Sequence, residues 1–260
     1  MMKHFEPKTR WLRVVLDYIL REITYESDRL PAISGLAKEI HLQTKMVYRA
    51  GIWIEDLYRA LIWTAVGAGQ HPSTFIAPPW SWASLGRSTD STHLTSLYGT
   101  SDFLFEEDFE LRSTLIDCEV IPLHQDTYSE LVWGHLDLQA PWISATELLG
   151  DQKPHLNSSW NDIYKSYDLL EHNESRLEFE GQIICDFDVL PRDRDLSDTA
   201  FHEISFLQIL STILGEFEVA RVLMLTPTEQ GGVFRRVGIV EVPLMGEMRN
   251  GWVSKCVRII

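Results

Sequence analysis

The octapeptide Ala77–Ser84, Ala-Pro-Pro-Trp-Ser-Trp-Ala-Ser, constrains this chain more than any other stretch. Pro79 steers Pro78 away from the α region, so the segment starts extended. Two tryptophans at i and i+2 then share one face of a strand. A pair of large rings on one side is either a wedge driven into the core or a wall of an apolar pocket. Both uses need a large opposing apolar surface. The chain can supply one, with nine Trp, eight Tyr and eleven Phe among 260 residues, 45% of them hydrophobic. That length suits one large or two small domains.

Hydrophobic periodicity divides the chain. From Trp11 to Glu22 apolar residues recur at a period near 3.6, which predicts an amphipathic helix. Asp28 is a candidate cap for a second helix with Pro31 in its first turn, and Gly35 inside it predicts a close approach by another element. A third helix is expected over 54–64, and the breaker cluster from Gly67 to Pro72 ends this part. Beyond it the period shifts toward 2. Strands are expected at 75–83, 114–122, 130–138, 177–189, 203–209, 219–225, 233–242 and 252–259, with a turn at Gly231-Gly232. The polar stretch 155–175 leaves room for a short helix around 160–170. The reading is an α+β protein. A helical N-terminal segment, 1–72, packs on a mainly β segment, 73–260, built as an antiparallel sheet or partly closed β-barrel in one compact domain.

Charge and motif content exclude several functions. A formal charge of −15 repels phosphate backbones and anionic lipid surfaces, so nucleic acid is not an expected partner. No run of about 18 apolar residues offers a membrane span, and Arg13 and Asp17 interrupt the first apolar stretch as no signal-peptide core would. Cys118, Cys185 and Cys256 are odd in number and widely spaced, which points to reduced, buried thiols and a cytoplasmic location. His124 and His135 lie eleven residues apart with no metal-binding spacing, and neither a phosphate-cradling glycine loop nor a nucleophile elbow occurs. No metal or cofactor is expected. The acids of Asp102–Glu110 read as a solvated connector, and Asp186 and Asp188 lack identifiable further ligands. The Arg235-Arg236 pair reads first as a strand edge with its charges in water, and second as a site for an acidic group.

Three phrases occur in a fixed order: Asp28-Arg-Leu-Pro-Ala-Ile-Ser-Gly-Leu-Ala37, then Tyr48-Arg-Ala-Gly-Ile-Trp53 leading to Leu61-Ile-Trp63, then Ala77–Ser84. With Trp11, Tyr18 and Ile23-Thr24 before them, and Val222–Pro227 and Phe234–Gly238 after, the set resembles the region that follows the HET domain in fungal heterokaryon-incompatibility proteins. The resemblance spans roughly Trp11 to Gly238 and is most specific in its first third. Pro79 stands where the pattern has Ser, and Ile23 where it usually has Leu. The phrases of the HET domain itself, resembling Tyr-x-Ala-Leu-Ser-Tyr-x-Trp-Gly and Trp-Ile-Asp-x-Leu-Cys-Ile, do not occur, so the resemblance carries over no HET-domain activity. The chain reads as a stand-alone HET-like protein or a truncated gene model.

Two functions are compatible with these observations, an enzyme, to which the reading leans, and as its alternative an interaction module. The resemblance implies an interaction or regulatory module of the incompatibility system, with a protein partner and no catalysis. Short HET-like chains also occur among fungal biosynthetic genes, and a looser association links them to the norbornene-forming cyclase of sordarin-type pathways. That implies a cofactor-free cyclase acting by intramolecular Diels-Alder-type cycloaddition on an apolar substrate such as a terpenoid, where orientation and one carbonyl-polarising donor supply the catalysis. The candidate substrate-binding residues are Tyr48, Trp53, Trp80, Trp82 and Arg236, with Tyr48, Trp82 and Arg236 as candidate donors. No catalytic residue is identifiable. The parallel expectation is that Trp80 and Trp82 lie buried at the junction of helices and sheet.

Overall fold

A computed structural model describes residues 7–19, 21, 23–65, 72–86, 95–96, 109–149, 155–156, 184–187, 203–214, 217–244 and 249–260. In chain order the elements are α1 (Pro7–Ile19), α2 (Pro31–Thr44), β1 (Tyr48–Arg49), β2 (Ile52–Trp53), α3 (Leu57–Leu61), β3 (Thr64–Ala65) and β4 (Thr95–Ser96). They continue with β5 (Phe109–Leu111), β6 (Thr114–Pro122), β7 (Leu131–Ser144), α4 (Ala145–Leu149), β8 (His155–Leu156) and β9 (Ile184–Phe187). The last four are β10 (Ser205–Leu214), β11 (Phe217–Pro227), β12 (Val233–Pro243) and β13 (Val253–Ile259). No helix among the described residues is long and apolar enough to cross a membrane.

The α+β class holds. The large sheet orders β11-β10-β7-β13-β12-β9-β8, with β5 beside β10, β6 beside β7, and β11 also paired to β12. Strands β7, β13, β12, β11 and β10 therefore close a ring. Its ladders are antiparallel except for a two-residue parallel contact between β12 and β13; outside the ring, β8 and β9 also pair parallel. Closure gives each ring strand neighbours on both sides, while β5, β6 and β8 remain edge strands with one partner each among the described residues.

Alternation decides which residues face which core. Leu223 and Leu225 point into a large core shared with the helical segment, whereas Val222 and Met224 point into a smaller one on the opposite face, with Ile143, Phe206, Val240 and Leu148. The large core draws Trp11, Val15, Leu30, Ile33, Trp53, Leu61 and Trp63 from the helical segment onto Leu136, Leu138, Leu207 and Val257 of the sheet. Trp80 and Trp82 lie in this core, at 0% and 2% exposure, as the sequence led us to expect.

Several local expectations are corrected. The segment 75–83 is not a strand: it turns at 79–80 and forms a 3-10 turn at Trp82–Ser84, in which the Ala83 amide donates to the Ser81 hydroxyl. Pro79 keeps only Pro78 extended; the Ser81 amide then donates to the Pro78 carbonyl across a turn at Pro79 and Trp80, and the Ser81 hydroxyl offers the backbone a local hydrogen bond that a strand would not use. Asp28 sits in a 3-10 turn, Glu26–Asp28, and the cap position of α2 belongs to Leu30, without a side-chain cap. Pro31 does occupy the first turn, and Lys45 ends α2 at φ 64. Nothing lies within 4 Å of a Cβ placed on Gly35, so no element approaches there. The third helix is shorter than predicted, a 3-10 turn at Ile54–Asp56 running into α3. The proposed helix at 160–170 and most of 177–189 lie outside the described residues.

Arg236 is the largest correction. Arg235 is exposed, but Arg236 is 1% exposed, its guanidinium 3.6 Å from the centre of the Trp63 ring. It donates to the carbonyls of Leu61, the last residue of α3, and of Trp63, two residues beyond it. Helix ends leave such carbonyls without intrahelical partners, and a buried fork of donors is one way to satisfy them. Arg236→Met keeps the stem and removes the fork, orphaning two buried carbonyls. We expect about 3 kcal/mol of lost stability in urea unfolding, and a loss under about 1 kcal/mol would refute this role.

Candidate functional site

The aromatic residues singled out in the sequence do converge, around one carbonyl. Strands β1 and β2 are joined by Ala50 at φ 47 and Gly51 at φ 91, a two-residue turn with both φ values positive. The Gly51 carbonyl accepts from two indoles, Trp11 Nε1 at 2.9 Å and Trp82 Nε1 at 3.0 Å. Next to it, Ser81 Oγ donates to the Ala50 carbonyl at 2.5 Å. A Cβ on Gly51 would lie 2.7 Å from Trp82 Nε1, so glycine is required by both conformation and contact. Trp63 Nε1 donates to the Trp80 carbonyl at 3.1 Å.

The rings pack edge to face. Trp11, Tyr48 and Trp53 form a triangle with centroid separations of 5.2 to 5.7 Å, and Tyr128 stacks on Tyr48 at 5.1 Å. Such contacts add about 0.5–1.5 kcal/mol per pair beyond area burial. Burial pushes the Tyr48 phenol above its ordinary value, against a smaller opposite pull from the Gly51 backbone. Tyr48, Trp53, Trp80, Trp82 and Arg236 are each no more than 3% exposed. Three of them carry donors without an acceptor among the described residues: Tyr48 Oη, Trp53 Nε1 and Trp80 Nε1. The aromatics are thus brought together, but as interior.

A second constellation lies on the other face of β7. Residues 134, 136, 138 and 140 face the large core, so His135 and Asp137 point the opposite way. The β6–β7 ladder sets Glu119 opposite His135 and, after a bulge at 115–117, Asp117 opposite Asp137. The β13–β7 ladder sets Arg258 opposite Asp137. His135 is buried, with Nε2 3.0 Å from Asp117 Oδ2 and 3.9 Å from Asp137 Oδ2. Its ring centre is 5.1 Å from that of Trp133. Arg258 holds Asp137 with a two-pronged pair, Nε to Oδ1 at 2.7 Å and Nη2 to Oδ2 at 2.5 Å, and this guanidinium lowers the Asp137 carboxyl below its ordinary range. His135 Nδ1 is buried without a partner among the described residues. An imidazole against two carboxylates can hold a cation or orient a proton, and neither Asp117 nor Asp137 was singled out from sequence. Only strand register joins positions 117, 135, 137 and 258.

Of the three cysteines, Cys118 is half-buried and Cys256 exposed, so the expectation of three buried thiols fails at Cys256, which shares the outer face with Gln139. The Cys185 side chain lies outside the described residues, as do those of Asp186 and Asp188. Burial raises the Cys118 thiol to about 12. Comparison with known proteins adds no relative: no family model, no curated protein and no solved structure matches this chain.

Two outcomes are expected. Trp11→Phe or Trp82→Phe alone removes one of two hydrogen bonds to the Gly51 carbonyl, while the double variant orphans it. The double loss in unfolding free energy therefore exceeds the sum of the single losses by about 1 kcal/mol, and strict additivity would refute the shared acceptor. Iodoacetamide at pH 8 followed by peptide mass mapping modifies Cys256 and spares Cys118 in the folded protein, because thiolate and access govern the rate. Equal labelling of the two would contradict the placement.

Proposed function

We propose that this chain is an interaction module of the heterokaryon-incompatibility type, working through a protein partner. The observation that supports it is what surrounds the ordered aromatic phrases. The tryptophans that carry the resemblance are 0% to 2% exposed, so their rings offer no solvent-accessible surface to a substrate. Apolar surface is instead available at the β6–β7 hairpin end. There Ile121, Leu123 and Val132 are exposed beside the charged Glu119 and Glu130. Apolar side chains rimmed by charge fit a protein–protein contact, and the −15 charge favours a basic partner.

One observation favours the second reading, a cofactor-free cyclase of an apolar terpenoid-like substrate. The donors of Tyr48, Trp53 and Trp80 are buried without acceptors. A carbonyl admitted to that interior would meet an unspent donor in a dry setting, where it polarises the bond most effectively. Admission requires the interior to open, because the three residues are at most 3% exposed and Tyr48 and Trp53 pack ring to ring.

Deleting the gene from its host separates the readings. The module reading expects altered hyphal fusion compatibility with an unchanged metabolite profile. It also expects Ile121→Asp to reproduce the deletion phenotype while the purified variant keeps its melting temperature. Accumulation of an uncyclised precursor with normal fusion would overturn the module in favour of the cyclase.

A further inference from the structure

The face of β6, β7 and β13 that carries Asp117, His135, Asp137 and Arg258 adjoins the hairpin-end contact proposed above, with Glu119 at the border, but none of these four residues belongs to that contact. One ligand atom from each of Asp117, His135 and Asp137 falls within a sphere of contacts no wider than 4.8 Å. We propose that these three residues bind a single divalent transition-metal ion of the zinc class.

The two separations from the imidazole fit one ion. At bonds of about 2.1 Å, ligands at a right angle sit about 3 Å apart and trans ligands about 4.2 Å apart. His135 Nε2 is 3.0 Å from one carboxylate oxygen and 3.9 Å from the other, inside that span. The donor set of one imidazole and two carboxylates suits zinc and its neighbours; calcium and magnesium prefer oxygen alone.

Burial supplies an independent argument. His135 is 3% exposed on a sheet face where a histidine with no ligand would gain by reaching water. Its Nε2 is aimed between two carboxylates, and its Nδ1 meets no protein partner among the described residues. A ring in that position spends burial energy on a geometry that a cation would reward.

Charge and rigidity agree. Glu119 sits directly across from His135, so three carboxylates face the one guanidinium of Arg258. Arg258 also fixes the Asp137 carboxylate from behind, as outer partners of metal ligands commonly do. All three ligands stand on paired strands, which position side chains more firmly than loops. Ile116, extruded by the bulge, leaves Asp117 in register with Asp137; with Ile116 in regular alternation instead, Asp117 would share the core face of Leu115.

The test uses the full chain, treated with chelator and then titrated with zinc chloride by calorimetry and with cobalt(II) by visible absorption. We expect one equivalent to bind, with cobalt giving ligand-field bands. Asp117→Asn, at an exposed position, should fold normally by circular dichroism and weaken zinc binding at least tenfold, and His135→Gln should do the same. His124→Gln, on the exposed hairpin, should leave affinity unchanged. Absence of binding in the parent chain overturns the proposal. So does unchanged affinity in a folded Asp117→Asn variant, which would place any bound ion on other histidines. Should His135→Gln fail to fold, Asp117→Asn alone decides.

Discussion

The carbonyl of Gly51 is the point on which the helical segment depends. Two indoles from distant parts of the chain donate to it, Trp11 from α1 and Trp82 from the turn after the Pro-Pro step. That bond pair fixes α1, the β1–β2 hairpin and the Trp82 turn relative to one another before any sheet contact is counted. The pattern repeats nearby. Arg29 donates to the Leu85 carbonyl, Ser81 to Ala50, Trp63 to Trp80, and Arg236 to Leu61 and Trp63. The physical reason is that this part of the core contains much irregular backbone, and buried carbonyls outside helices and ladders need donors from side chains. Tryptophan is suited to the task, since it fills volume with an apolar ring and carries one donor and no acceptor.

This explains which parts of the fold were legible in the sequence. The strands are paired by ladders that need only alternation, so β6 is found at 114–122 as predicted, and β11, β12 and β13 within two residues of it. The helical segment obeys the 3.6 period only in α1 and α2. The stretch from Trp80 to Ser84 takes its shape from tertiary hydrogen bonds: the Trp82 indole donates to the Gly51 carbonyl, whereas Trp80 accepts from Trp63 through its backbone carbonyl, so the two do not act as the matched pair that a strand reading implies. Gly35 and Gly51 look alike in sequence, yet only Gly51 has a neighbour that forbids a side chain. Arg236 follows a turn beside an exposed arginine, and nothing local distinguishes the buried one from its neighbour.

The candidate site was legible to the extent that the aromatic phrases mark a single place, and illegible in what that place does. Periodicity cannot say whether converging rings leave a void or fill one another's space; the ring separations show that they fill it. The Asp117, His135 and Asp137 cluster was invisible for a different reason. It depends on a bulge at Ile116 and on which strands pair, and both are products of folding. Among the described residues, this polar cluster lies on the outer sheet face. The helical interior supplies the rigid support.

The most direct test of this account is hydrogen exchange at the indole nitrogens, followed by proton–nitrogen NMR on tryptophan-labelled protein. The account predicts that the Nε1 protons of Trp11, Trp63 and Trp82 exchange only through global unfolding, with protection equal to that of the slowest backbone amides of β10 and β11. Exchange of Trp11 or Trp82 at a free energy several kcal/mol below the global value would contradict it. That result would mean the aromatic interior opens on its own.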